Sequence, residues 1–243
     1  MLNFPDTEKK LKSTISRYKS ALNKEKKIYG HINDGAGKRY LLFSLYFVLN
    51  DLKKSEEYFE WYKKEFDDDV GEPVQKLCWV LSLYRMGKPN EAKYMLADLM
   101  LSNLYMIPQI LGRDINEYDI WHSSSDGDMD YFDYTPEEVL NALTPEDKTW
   151  VKETYDSFVF QRIRQRYIEI YGELRTVKDL ESRRKLLQES YSLLDPDLPK
   201  QWPKPDIVSI CTSPEFVEDD LLERLLQTVD EFKSIIRKVR GSE

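Results

Sequence analysis

Glycine is scarce, at 9 of 243 residues, and there are only two cysteines and two histidines. Few glycines beside many Leu, Lys and Glu argue against a turn-rich β fold and for helices. Cys78 and Cys211 lie far apart and make no metal-type spacing. His31 and His122 belong to no HExxH motif and to no two-histidine arrangement at helical spacing. No metal or cofactor is therefore expected. Long hydrophobic runs are also missing. The longest, Tyr40 to Leu49, is about half of what a bilayer span needs. The opening MLNFPDTEKKLK lacks the apolar core of a secretory signal. These absences predict a cytoplasmic protein in a reducing setting, with no membrane partner.

What is present is a globular mixture. The apolar fraction is 41% and the charged fraction 33%, with 5 Trp, 16 Tyr and 10 Phe, too rich in aromatics for a disordered chain. The net charge of −8 is uneven. Asp114 to Asp147 holds 11 Asp/Glu and no Lys or Arg, which leaves the remainder at +3. A first helix, about Asp6 to Tyr29, carries Lys9, Lys10, Lys12, Arg17, Lys19, Lys24, Lys26 and Lys27. Such a face could meet nucleic acid or another anionic surface, but a lysine-rich face is more often merely solvated, and nucleic acid is not the expected partner.

Periodicity and breakers divide the chain. Residues 1–37 read as a basic capping helix and a glycine-rich loop. Residues 38–112 read as two helical hairpins: helices from about Lys38 to Leu49, on to about Glu65, from Pro73 to Arg85, and from Pro89 to Leu104. Asn50-Asp51, Asp67–Pro73 and Gly87 separate them. Residues 113–194 comprise an acidic aromatic stretch without helical period, Asp114 to Tyr134, and continuing helices. Thr135-Pro136-Glu137-Glu138 and Thr144-Pro145-Glu146-Asp147 each predict a Thr N-cap with Pro at the first helical position. Residues 195–212 form a proline-rich linker. In residues 213–243, Leu222, Leu225, Val229, Phe232, Ile236 and Val239 step by three and four, a heptad seam that could fold back or make a homodimer.

The hairpins align on each other at an offset of 37. Leu49-Asn50-Asp51-Leu52-Lys53-Lys54-Ser55 falls on Met86-Gly87-Lys88-Pro89-Asn90-Glu91-Ala92, with Leu42, Phe43 and Tyr46 on Trp79, Val80 and Leu83. This resembles the tetratricopeptide repeat, whose period is about 34 and whose small residues at the turn and early in the second helix allow close helix packing. Gly87 and Ala92 fill those places in one unit, Asn50 and Ser55 in the other. Leu101 to Pro108, followed by Asp119 to His122, is also similar to bacterial repeat proteins of unassigned role.

The resemblance implies an all-α, right-handed superhelical stack, with the first helix of each hairpin lining a groove. Tyr40, Ser44 and Phe47 would face it from one unit, and Val74, Leu77, Leu81 and Tyr84 from the other. Left in water, these large side chains would each forgo roughly 1.5–3 kcal/mol. Something must cover them, either the protein's own later helices or an amphipathic partner helix. Candidate partner-binding residues are thus Tyr40, Phe47, Leu77, Leu81 and Tyr84, with Leu222, Leu225, Val229, Phe232 and Ile236 of the last helix. The partner would offer an amphipathic helix or a basic surface.

Catalytic motifs fail on inspection. Gly35-Ala36-Gly37-Lys38 lacks the earlier glycine of a phosphate loop, where Ile32 stands, and the following Ser or Thr, where Arg39 stands. Asp126, Asp128, Asp130 and Glu137 have the acidic spacing of a calcium loop, but Tyr131 occupies the glycine place. Asp119, His122 and Ser123–Ser125 are too close in sequence to converge as a triad. The expectation is an interaction or scaffolding module that is not an enzyme. The alternative is a divalent-cation-dependent enzyme using region 119–133.

Overall fold

Helix α1 (Glu8–Tyr29) opens on Thr7, whose Oγ1 accepts from Lys10 N, and closes on Gly30 in the left-handed region at φ 79°. Its inward stripe, Leu11, Ile15 and Leu22, packs on α2 (Lys38–Leu49). The structure, a computed structural model, describes residues 4–121 and 124–194. These lie in one of the two units into which the chain divides, Met1–Pro196. The proline-rich linker and the heptad helix with Leu222, Leu225, Val229, Phe232 and Ile236 fall outside the described residues, as does His122.

The corner between α1 and α2 is tied down. Buried Asp34 accepts from Lys38 N at 3.0 Å and Arg39 N at 2.7 Å, which satisfies the first amides of α2, and Glu25 accepts from the Asn33 and Asp34 amides. Asp34 thus anchors the glycine-rich loop.

Three helices follow where the breakers place them: α3 (Leu52–Glu65), α4 (Pro73–Arg85) and α5 (Pro89–Ser102). Together α2 and α3 make one hairpin, and α4 and α5 the second, while α2 and α4 pack side by side. Phe43 is the hub between them. Its ring lies 5.0–5.2 Å from those of Tyr58, Phe59, Tyr62 and Trp79, in edge-on, stacked and tilted geometries. α4 is apolar almost all round, and Val74 to Leu83 are all buried.

Beyond α5 the chain departs from expectation twice. A short helix, α6 (Met106–Ile110), follows and contains Pro108, where the sequence predicts no helix. Proline is tolerated there because the amides of a first helical turn have no intrahelical partner to lose. Two 3-10 turns, Ser125–Gly127 and Met129–Tyr134, then cross the acidic stretch. They are clasped by the α5–α6 corner: Asn103 Nδ2 donates to the Asp126 and Asp128 carbonyls, and Gln109 Nε2 to that of Met129.

Helix α7 (Glu137–Asn141) starts one residue late, with Pro136 in the cap position. The Thr135 hydroxyl is buried without a hydrogen-bond partner among the described residues, so the expected threonine cap does not form there. It does form at α8 (Pro145–Tyr155), where Thr144 and Asp147 cap each other's amides at 3.2 and 2.9 Å. Helices α9 (Phe158–Thr176) and α10 (Leu180–Ser192) close on Ile170, Leu174 and Leu186, with Trp121 and Tyr171 packed against them. The unit is all-helical; among the described residues there is no strand, and no helix is long and apolar enough to cross a membrane.

Candidate partner-binding site

The side chains expected to line an open groove are in the interior. Phe47, Leu77 and Leu81 are 1% exposed or less, and Ser44 and Val74 are buried. Their cover is the chain itself. α7 packs on α2, and Tyr84 at the end of α4 stacks on Trp150 of α8 at 4.4 Å. The seal is pinned by Arg85. It donates to both Asp147 carboxylate oxygens at 3.3 and 2.6 Å, to the Ala142 carbonyl at 2.7 Å and to Asn50 Oδ1 at 3.0 Å, and its guanidinium lies 4.4 Å from the Phe47 ring centre. Phe47, Leu77 and Leu81, expected on a partner-binding surface, are thus buried beneath the chain's own helices, whereas Tyr84 is half-buried against Trp150. Burying them within the chain avoids the cost of wetting them, and a −1/+1 pair desolvated at the seam fixes the cover in one position.

Tyr40 lines a concave surface. It is half-buried, and its hydroxyl donates to Asp69 Oδ1 at 2.6 Å while accepting from Arg39 Nη2 at 2.7 Å. Asp69 also takes Arg39 Nε at 2.6 Å and the Gly71 amide at 3.1 Å. Burial works against the Asp69 carboxylate, but the donors from Tyr40 and Arg39 outweigh it and hold its pKa below the ordinary value. The Tyr40 hydroxyl is pushed up to about 12 by burial and by donating to Asp69. A turn that the sequence marked only as a helix breaker, 66–71, is thus a fixed ridge.

A concavity lies on each side of this ridge. One, of about 410 Å³, is walled by Ile32, Asn33, Arg39 and Tyr40. The other, of about 440 Å³, runs between α3, α4 and α5 and is lined by aromatic Tyr62, Phe66, Trp79 and Tyr94 together with Asp67, Asp98, Lys63 and Lys76. In this second cleft, Lys63 Nζ sits 5.7 Å from the Trp79 ring centre and 3.0 Å from Glu60. Buried Lys76 is neutralised by Asp98 at 2.7 Å and donates to Ser102 Oγ at 2.6 Å. The Trp79 indole N–H has no hydrogen-bond partner among the described residues. Val70, on the ridge, is 81% exposed.

Glu72, the N-cap of α4, stands behind the ridge. Helix N-termini favour an anion. Burial, reinforced by Asp126 and Asp69, nevertheless raises its carboxyl to about 7 against the attraction of Arg39. Cys78 is a core residue, its thiol pushed up to about 12 by burial. Such a thiol is protonated at neutral pH and is no nucleophile. Among the described residues no three His, Cys, Asp or Glu side chains gather as a metal-binding group. The acidic stretch spends its backbone on the Asn103 clasp, and Asp119 pairs with Arg175.

The architecture defines an all-helical protein built around two packed hairpins. Compared with known protein families, curated proteins and solved structures, the chain finds no match.

Proposed function

We propose that this chain is a protein-interaction module built on tetratricopeptide-like hairpins, and that it engages its partner beside the 66–71 ridge. The observation that carries this reading is the aromatic cleft between α3, α4 and α5, which is open while the α2–α4 face is closed by the chain's own α7 and α8. The repeat-like character is supported by the two turns. Asn50 and Gly87, aligned in sequence, both adopt the left-handed conformation, at φ 53° and 74°. Ser55 and Ala92, also aligned, are both buried, at 1% and 0% exposure.

The test uses the whole chain as bait in an extract of its source cells. A discrete partner should be retained by the parent and by Tyr191→Ser, an exposed change on α10, and lost with Val70→Lys. Retention unaffected by Val70→Lys would refute the assignment of the cleft.

A further inference from the structure

We propose that the cleft beside the Phe66–Gly71 turn receives a lysine or arginine side chain from an extended segment of the partner polypeptide, in the place over Trp79 that the chain's own Lys63 now fills. The inference rests on the preceding reading of the cleft as the partner site and names the chemistry of its occupant.

Three observations converge. The first is the wall. Half-buried Phe66 and exposed Tyr94 rim one cleft, and buried Tyr62 and Trp79 form its floor beneath the Lys63 side chain; aromatic faces attract cations through their ring quadrupoles, tryptophan most strongly. The second is an internal stand-in. Lys63 already places its ammonium over Trp79, which marks where a cation is held. Lys63 is half-exposed, and its other partner is an exposed Glu60 three residues away, a weak tie that a competing cation can displace. The third is charge. Asp69 is matched by Arg39, and Asp98 by Lys76. Exposed Asp67, which lines the cleft, and exposed Asp68, next along the ridge and facing the other concavity, form no ion pair among the described residues. The unmatched charge at the opening is therefore negative.

Size and surroundings select the form of the ligand. A helix with side chains is about 10–12 Å across and would not enter a cleft of about 440 Å³. An extended chain can pass over exposed Val70 and lay the methylene stem of its basic residue against Met95 and Tyr94, with the charged head over the indole. A free small cation would leave Val70 uncovered.

The probe is the capped pentapeptide Gly-Ser-Arg-Ser-Gly, titrated into the whole ¹⁵N-labelled chain while the Trp79 indole N–H resonance is followed. Its counterpart with Gln in place of Arg and free spermidine are the comparison ligands. The Arg peptide should shift the resonance saturably, with a Kd on the order of 1 mM or tighter. The Gln peptide should not, and spermidine should bind at least about fivefold more weakly than the Arg peptide. Lys63→Met should tighten the Arg peptide at least about threefold, whereas Lys64→Met, which removes the same charge outside the cleft, should have less effect. The double change Asp67→Asn, Asp68→Asn should weaken it at least about threefold; both positions are exposed, so the fold survives. An unresponsive Trp79, equal binding of the Gln peptide, equal effects of Lys63→Met and Lys64→Met, or spermidine matching the peptide would each overturn the proposal. If the capture experiment still shows dependence on Val70, the interaction reading stands while the basic side chain falls.

Discussion

The two hairpins reach the same geometry with different residues. In the second, Gly87 takes the left-handed turn and Ala92 the buried early position of α5, neither with a side-chain hydrogen bond to make. In the first, Asn50 takes the same turn and lends its Oδ1 to Arg85, while Ser55 returns its hydroxyl to the Asp51 carbonyl at 2.9 Å. A Cβ added at Gly87 would meet open space within 4 Å. The shared requirement is thus backbone conformation at the turn and small volume five residues later, and not small volume at both. The first hairpin uses its polar substitutes to hold the second in place, since Asn50 is one arm of the Arg85 clamp.

The largest effect should come from removing that clamp. Arg85→Met leaves Asp147, 1% exposed, without its cation, and should destabilise by about 3–5 kcal/mol in chemical denaturation. Smaller, and specific to the second hairpin, is Ala92→Leu: forcing extra volume into a fully buried site should cost about 1–3 kcal/mol. Ser55→Ala, which makes the first hairpin resemble the second, should stay within about 1 kcal/mol. At the turns, Gly87→Ala should cost about 1–2 kcal/mol because of its φ of 74°, and Gly87→Asn less. Were Gly87→Asn as costly as Gly87→Ala, the equivalence of Asn50 and Gly87 would not hold.

A subtler difference lies in pH. Glu72 begins the second hairpin with a carboxyl raised from 4.5 to about 7. A group whose folded pKa exceeds its unfolded value contributes stability at low pH, and that contribution is lost as pH climbs through the folded pKa. The Tm should therefore decline between about pH 4.5 and pH 7, and Glu72→Gln should flatten that part of the profile. An unchanged slope in the variant would remove Glu72 from the account.

Much of the fold was legible because short-range rules decide it. Asn50-Asp51, Pro73 and Gly87-Lys88-Pro89 set the boundaries of α2 to α5 as expected, and Thr144-Pro145 set the start of α8. At Thr135-Pro136 the same local pattern gave a different cap, and Pro108, past the end of the second hairpin's last helix, lies within the short helix α6. Both cases depend on which amides of a first turn need partners. The site was less legible. Apolarity on α2 and α4 showed that a face needed cover, but whether a partner or α7–α8 supplied it hinged on Arg85 meeting Asp147, 62 residues apart. Asp67–Gly71 read as a breaker because no local pattern reveals that Asp69 will meet Arg39 and Tyr40 from another helix. The run of acids was the only available hint.

The account turns on which concave face meets the partner. A photo-crosslinking residue placed at position 70, on the ridge, and in a second variant at position 81, within α4, separates the two faces in the whole protein. The account predicts a discrete polypeptide adduct from position 70 and only internal products from position 81. A partner adduct from position 81 with none from position 70 would mean that the α7–α8 cover opens and that the groove, not the cleft, is the binding surface.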